Sequence, residues 1–288
     1  MVEKPRVRFN YEKTTKMNDL MQGLQLNTVC EEATCPNLGE CFSSGTATFM
    51  ILGKNCSRNC RFCDVNFGGM ELVNPHEPMN VAVASSQLQL NHVVVTSVAR
   101  DDLPDGGAFQ FAQTIKAIKE VSPNTTVEVL IPDFMGNKES LDAVIAAGPE
   151  IINHNLETVE RLSPKIRHRA TYKRSLEVLT YIKEQAPEIF TKTGIMLGIG
   201  EQDDEVEQMM EDALAAGVDF LTIGQYLQPS EKHYPIEEYV SMRKFGIYRR
   251  LGMKKGFKFV ASSPAVRSSY KALEAYQRGV LNDIHTVG

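Results

Sequence analysis

The chain has no tryptophan, and it has no cysteine after Cys63. The first absence excludes no class of protein. The second does: all six cysteines crowd between positions 30 and 63, which does not look like a disulfide framework spread through a fold. Such clustering reads as metal binding in a reducing compartment, so a cytoplasmic location is expected. Long apolar runs are lacking too, and none would cross a bilayer. The opening residues, Met1-Val2-Glu3-Lys4-Pro5-Arg6, have no apolar stretch of the kind a secretory signal carries. Nor is there a basic excess: 31 Lys and Arg stand against 36 Asp and Glu, a formal charge of −5. A general nucleic-acid binder needs a strongly basic face, so neither nucleic acid nor membrane is expected as a partner.

With 288 residues the chain can bury a large core, and α/β barrels of this size commonly form one domain. The first stretch, 1–45, is polar, irregular and cysteine-bearing. Beyond it, apolar strands alternate with amphipathic helices. Strands are expected at Ala47–Leu52, His92–Val98, Thr126–Ile131, Ile151–Leu156, Lys192–Leu197 and Phe220–Leu227, each apolar enough to be covered on both faces. Helical spacing recurs in Phe111, Ile115 and Ile118, in Leu141, Val144 and Ile145, and in Val206, Met209, Met210, Ala213 and Leu214. Gly148 and Gly217 each follow Ala-Ala and precede a strand, and both suit the left-handed position that stops a helix. Six such units predict an α/β fold, an open partial (β/α)6 barrel of the TIM type over 46–235. A C-terminal segment, 236–288, follows, with a helix near Glu237–Leu251, a last strand near Lys258–Ala261 and a terminal helix from about Ser269. Leu72–Asn80, with Pro75 and Pro78, reads as a loop.

Cys56, Cys60 and Cys63, in KNCSRNCRFCDV, come just after the first expected strand. Three soft thiolates so close together can hold three irons of a cubane cluster and leave the fourth iron open for chemistry. Structural zinc wants four ligands and this group offers three, so zinc needs a fourth donor from elsewhere. The CxxxCxxC spacing is similar to the signature of enzymes that reductively cleave S-adenosylmethionine, and Phe62 belongs to the same pattern. Strand ends offer the adjoining contacts. Gly194-Ile195-Met196-Leu197-Gly198-Ile199-Gly200-Glu201 has the form GxIxGxxE, with Met at the Ile position. Gly198 would allow a close backbone approach and Glu201 closes the motif; the plain alternative is a turn before a helix capped by Asp203. Asn153, Asn155 and Glu157 alternate and so share one face, and polar groups at a barrel's C-terminal mouth usually bind ligand. His154 points the other way and reads as packed. A second trio, Cys30, Cys35 and Cys41, again lacks a fourth partner. Two incomplete trios are easier to explain as two clusters than as two zinc sites.

With both trios in view, the chain resembles the lipoyl synthase family almost end to end. CxxxxCxxxxxC looks like the family's auxiliary-cluster motif and CxxxCxxC like its catalytic one. Val94–Val98 running into Arg100–Gly107, Asn153–Thr158, Leu221–Ser230 and the Arg267-Ser268-Ser269-Tyr270 motif also look like the family's segments. The resemblance implies that Ser269 is the fourth protein ligand of the auxiliary cluster; read on its own, Ser269 would be a helix cap. Ser263-Pro264 stands where Gly-Pro is usual, and Lys271 where histidine is common.

The resemblance further implies two [4Fe-4S] clusters: one on Cys56, Cys60 and Cys63, where S-adenosylmethionine binds, and an auxiliary one on Cys30, Cys35, Cys41 and Ser269. S-adenosylmethionine would be cleaved to methionine and 5′-deoxyadenosine, and two sulfur atoms of the auxiliary cluster would enter C6 and C8 of an octanoyl group. Phe62, Asn155, Glu157, Gly198 and Glu201 would contact the cofactor, and no side chain is needed as general acid or base, because those carbons are not acidic. Implied partners are octanoylated lipoyl carrier domains (2-oxoacid dehydrogenase subunits or the glycine cleavage H protein) and an electron donor such as ferredoxin or flavodoxin. Lys165, Arg167, His168, Arg169, Lys173 and Arg174 form a basic stretch that would steer an acidic carrier. Arg100, Asp101 and Asp102 would shape the mouth, with a solvated loop as the plainer role for the two acids. Competing readings are a small-molecule sulfur-inserting enzyme of the biotin-forming type, a two-cluster electron carrier and a zinc-binding module.

Overall fold

The computed structural model describes residues 20, 21, 23, 24, 26–28 and 46–286. It forms two compact units, one holding the described residues of Lys4–Arg58 and Val65–Glu150, the other those of Asn59–Asp64 and Ile151–Gly288.

In the first unit, apolar runs become buried strands. β1 (Asn27–Thr28), β2 (Thr46–Ile51), β3 (Asn55–Cys56) and β4 (Asn66–Phe67) are followed by helix α1 (Glu77–Gln87), β5 (His92–Ser97), α2 (Ala108–Val121), β6 (Thr126–Leu130) and α3 (Lys138–Ala146). β1 runs antiparallel to β2, whereas β2–β5 and β5–β6 are parallel, with Thr46 opposite His92 and His92 opposite Thr126. All six residues of β2 are buried, as a strand covered on both faces requires. Phe111, Ile115 and Ile118 of α2 are fully buried, each side chain contributing roughly 1.5–3 kcal/mol. One expectation fails here. The stretch read as a loop to Asn80 turns helical at Glu77, because Pro78 lies in the first turn of α1, where its missing N–H costs nothing.

The second unit contains β7 (Ile151–Asn153), α4 (Ser163–Ile166), α5 (Tyr172–Gln185), β8 (Phe190–Leu197), α6 (Asp203–Ala215), β9 (Phe220–Gln225), α7 (Met242–Lys255), β10 (Phe259–Ser262) and α8 (Ala272–Thr286). The neighbours β7–β8, β8–β9 and β9–β10 are all parallel. Gly148 and Gly217 stop their helices with φ of 70° and 79°, as their sequence setting predicts.

Three boundaries in this unit need correction. α6 is capped by Gln202, not Asp203, and Glu205 reaches back to accept the Gln202 N–H at 2.8 Å. α7 starts at Met242 rather than Glu237, because Ser241 caps it and accepts the Lys244 N–H at 3.2 Å. The residues before it are held otherwise, with Glu237 N donating to Gly198 O at 2.9 Å and Val240 N to Gln225 Oε1 at 2.9 Å. The terminal helix starts at Ala272, which leaves Ser269 in the preceding turn rather than at the helix start.

Candidate active site

Cys30, Cys35 and Cys41 lie outside the described residues. Cys56, Cys60 and Cys63 are half-buried thiols. Cys56 belongs to the first unit, where the short β3–β4 ladder sets it opposite Phe67 and Gly68 N donates to its carbonyl at 3.0 Å. Arg58 N lies 3.3 Å from Cys56 Sγ, a backbone donor of the kind that stabilises negative charge on sulfur. The same stretch is pinned by Ser57, whose N–H donates to Ala99 O and whose Oγ accepts the Asp101 N–H at 3.0 Å. Arg58 is buried and bonded through Nε and Nη2 to Asp101 and through Nη2 to Asp133 at 2.6 Å. Burial works against its charge, but the two carboxylates outweigh that and hold the guanidinium protonated. Asp101 is therefore no solvated loop acid. Its side chain is 14 % exposed, whereas Asp102, paired with Arg100 at 2.8 Å, is 34 % exposed.

Cys60 and Cys63 belong to the second unit and are joined by a turn, Cys63 N to Cys60 O at 3.1 Å. Phe62 between them packs on the apolar cluster of Leu197, Ile199 and Tyr226. Arg61 donates its N–H to Ile166 O and accepts the Tyr234 N–H at its carbonyl, and its guanidinium lies over the Tyr234 ring at 5.0 Å. His233 Nε2 lies 3.1 Å from Cys63 O. The loop is thus fastened by main-chain bonds on both sides of Phe62.

Asn155 and Glu157 come together. Asn155 Nδ2 donates to Glu157 Oε1 at 3.0 Å and to Ser268 Oγ at 2.7 Å, and Asn155 O accepts from Arg167 Nη1 at 2.8 Å. Asn155 Oδ1 is buried and has no hydrogen-bond partner among the described residues, an exception to the usual pairing of buried polar atoms. Glu157 takes φ of 65°, a left-handed conformation costing on the order of 1 kcal/mol in a non-glycine residue. It is locked there by Glu157 N to Gly194 O and Met196 N to Glu157 O, both 2.9 Å. Burial raises its carboxyl above the ordinary range, partly offset by Arg167 and by the bond from Asn155. His154 is packed as expected, with Nε2 2.9 Å from Ser175 Oγ.

Gly198 and Glu201 form a closed turn. Glu201 accepts N–H bonds from Gly198 at 2.7 Å and Ile199 at 3.0 Å. A Cβ at Gly198 would collide with Glu238 O and Gln225 Nε2, so the protein itself crowds that side of the turn. Burial lifts the Glu201 carboxyl, with the main-chain donors of Gly198, Glu201 and Ile199 and the charge of Lys244 pulling it back.

Two assignments from the basic stretch change. Arg167 is buried rather than surface-exposed, because it spans Asn155 O and Ser175 Oγ, the latter at 2.6 Å. Lys165, His168, Arg169 and Lys173 remain exposed, and Arg174 is half-buried against Arg169 O. Arg58 and Ser268 were not foreseen as site residues. Arg58's partners lie 43 and 75 positions away, and Ser268 was visible only as part of its motif.

Residues 50–213 match the model of the radical SAM superfamily. The chain is 55 % identical over 259 residues to a lipoyl synthase of Alkaliphilus metalliredigens, covering 90 % of this chain and 89 % of that one. It is 52 % identical to a lipoyl synthase of Caldanaerobacter subterraneus subsp. tengcongensis, covering 94 % and 96 %. Among solved structures, methylornithine synthase (PylB) matches 88 % of this chain and 83 % of its own at TM-score 0.55 and 14 % identity. The Streptococcus suis SuiB bound to precursor peptide SuiA matches 91 % and 56 % at TM-score 0.61 and 8 % identity. These last two likenesses are of fold alone, and with the family model they bear out the α/β partial-barrel class. The chain belongs to the lipoyl synthase family, sulfurtransferases of the radical S-adenosylmethionine superfamily.

Proposed function

We propose that this enzyme inserts two sulfur atoms, at C6 and C8, into an octanoyl group carried on a lysine of a lipoyl carrier domain. Its superfamily implies a [4Fe-4S] cluster and S-adenosylmethionine. The observation that carries the reading is the CxxxCxxC loop. Its three cysteines are half-buried, and a backbone donor lies at Cys56 Sγ. Three soft donors fit a cubane with one open iron and fall one short of a closed zinc site.

When bound, that cluster supplies the electron that breaks S-adenosylmethionine into methionine and the deoxyadenosyl fragment that removes hydrogen from unactivated carbon. The chain supplies position. Cys56, Cys60 and Cys63 hold the first cluster. Asn155, with its unsatisfied Oδ1, and Glu157, with its fixed carboxylate, hold the cofactor's polar end, while Phe62 and the Gly198–Glu201 turn line its place. Cys30, Cys35, Cys41 and Ser269 would hold a second [4Fe-4S] cluster, which would supply the sulfur. Ser269 would be the one hard oxygen donor in that soft set, and so its weakest ligand. The extension 1–45 carries the donor cysteines, 46–235 is the barrel and 236–288 brings Ser269. The enzyme works in the cytoplasm with a ferredoxin- or flavodoxin-type reductant. Its carrier is a 2-oxoacid dehydrogenase subunit or an H protein, and it takes neither nucleic acid nor a membrane surface as partner.

The test is anaerobic reconstitution with iron and sulfide, then dithionite, S-adenosylmethionine and octanoyl-lysyl peptide. The expected products are 5′-deoxyadenosine and a dithiolated peptide. Cys35→Ala and Ser269→Ala should keep the first product and lose the second. Dithiolated peptide from Cys35→Ala would refute the donor assignment.

A further inference from the structure

We infer that Ser268, the residue ahead of Ser269, is a positioning residue: its hydroxyl ties the turn that carries Ser269 to the Asn155–Glu157 pair. The inference rests on the roles proposed above for Ser269, Asn155 and Glu157.

The tie spans 113 positions of sequence and is 2.7 Å long. Asn155 is held from behind by Arg167 at its carbonyl, and the two amide hydrogens on its Nδ2 match two acceptors, Glu157 Oε1 and Ser268 Oγ. The amide orientation that meets Glu157 is thus the one that meets Ser268. On the other side, the turn closes on itself through Tyr270 N to Arg267 O at 2.8 Å, and Arg267 Nη1 donates back to Val266 O at 2.7 Å. Val266 O sits against Gly224 of β9 so closely that any Cβ there would collide with it. The stretch is seated on bare backbone at Val266 and hooked by a side chain at Ser268. With neighbouring Cα atoms about 3.8 Å apart, fixing Ser268 leaves Ser269 little room to wander. A shift of Asn155 toward or away from a ligand is felt one residue from the proposed iron ligand.

Ser268→Ala removes the hook and Ser268→Thr keeps a hydroxyl. In the full chain, without S-adenosylmethionine, amide hydrogen exchange at 267–270 should be about five-fold faster in Ser268→Ala, the size expected of one neutral hydrogen bond. Ser268→Thr should stay near the parent. Unchanged protection in Ser268→Ala overturns the inference. In an Asn155→Ala background, Ser268→Ala should add nothing, and an additive increase overturns it too. With octanoyl-lysyl peptide, Ser268→Ala should raise the ratio of 5′-deoxyadenosine to dithiolated product about five-fold, with Ser268→Thr restoring it. A merely structural weakening would lower both products together, and an unchanged ratio sinks the positioning role. Cys35→Ala, run alongside, separates the two ideas. If it still makes dithiolated product, the cluster reading fails while the exchange result stands on its own.

Discussion

Arg58 and Asp133 meet at 2.6 Å, the carboxylate fully shielded from water and the guanidinium 5 % exposed. The pair stands two residues from Cys56, so the loop that presents a proposed iron ligand is anchored by a buried charge.

Removing the cation should be costly. Arg58→Ala leaves Asp133 charged and buried, a loss of about 3–5 kcal/mol, read as a lower urea midpoint and less iron retained per chain after reconstitution. Arg58→Lys keeps the charge without the fork that reaches Asp101 and Asp133 together, and should fall between the two. Parent-like stability in Arg58→Ala would show the pair to be dispensable.

A second prediction concerns pH. Glu77 is buried and its carboxyl is raised by burial, opposed by N–H bonds from Leu52 and Gln110. The folded state therefore holds this proton more tightly than the unfolded chain. Stability is greatest below the ordinary carboxylate range and falls as pH rises from that range through the raised folded value, then levels. Glu77→Gln should gain on the parent over that window. A stability difference that stays flat from about pH 4 to pH 7 would rule this out.

Gly198→Ala should lose about 1–3 kcal/mol, because φ is 97° and the new methyl would strike Glu238 O and Gln225. Displacing that turn should also weaken S-adenosylmethionine binding, measured by equilibrium dialysis on the reconstituted enzyme. Binding at parent strength would remove the turn from the cofactor's surroundings.

The basic stretch divides. Arg167→Ala should cost about 2–3 kcal/mol, since it strips a buried charged donor from Asn155 O and Ser175 Oγ. Arg169→Glu with Lys173→Glu, both exposed, should change stability by no more than about 0.5 kcal/mol. The same pair should reduce activity on a carrier domain more than on octanoyl-lysyl peptide. Equal loss on both substrates would dismiss these residues as a docking face.

Much of this was legible in the chain. Strand expectations such as His92–Val98 end within a residue of the observed His92–Ser97, because a run covered on both faces advertises itself. Starts of helices were harder. Glu237 looks helical by composition, but Ser241 takes the cap and the preceding residues are claimed by Gly198 and Gln225. Pro78 read as a breaker when its place in the first turn made it harmless. Arg167 looked like its basic neighbours, since nothing local distinguishes a buried guanidinium whose acceptor is a main-chain oxygen 12 positions back. Asn155 and Glu157 do meet, but not by strand alternation: the strand expected to run to Leu156 ends at Asn153 and Glu157 is left-handed with φ of 65°, and the link to Ser268 crosses 113 positions that no local pattern announces.

Gln225 shares the two hydrogens of Nε2 among Leu197 O, Tyr226 O and Glu238 O while Oε1 takes the Val240 N–H. A single amide thus stitches an irregular passage of chain to two strand ends. That passage has no repeat to absorb change, so one residue inserted between Tyr226 and Glu238 would displace both of its stitches to Gln225, at Glu238 O and Val240 N. Its length should be under tighter evolutionary restraint than its lack of helix or strand would lead one to expect.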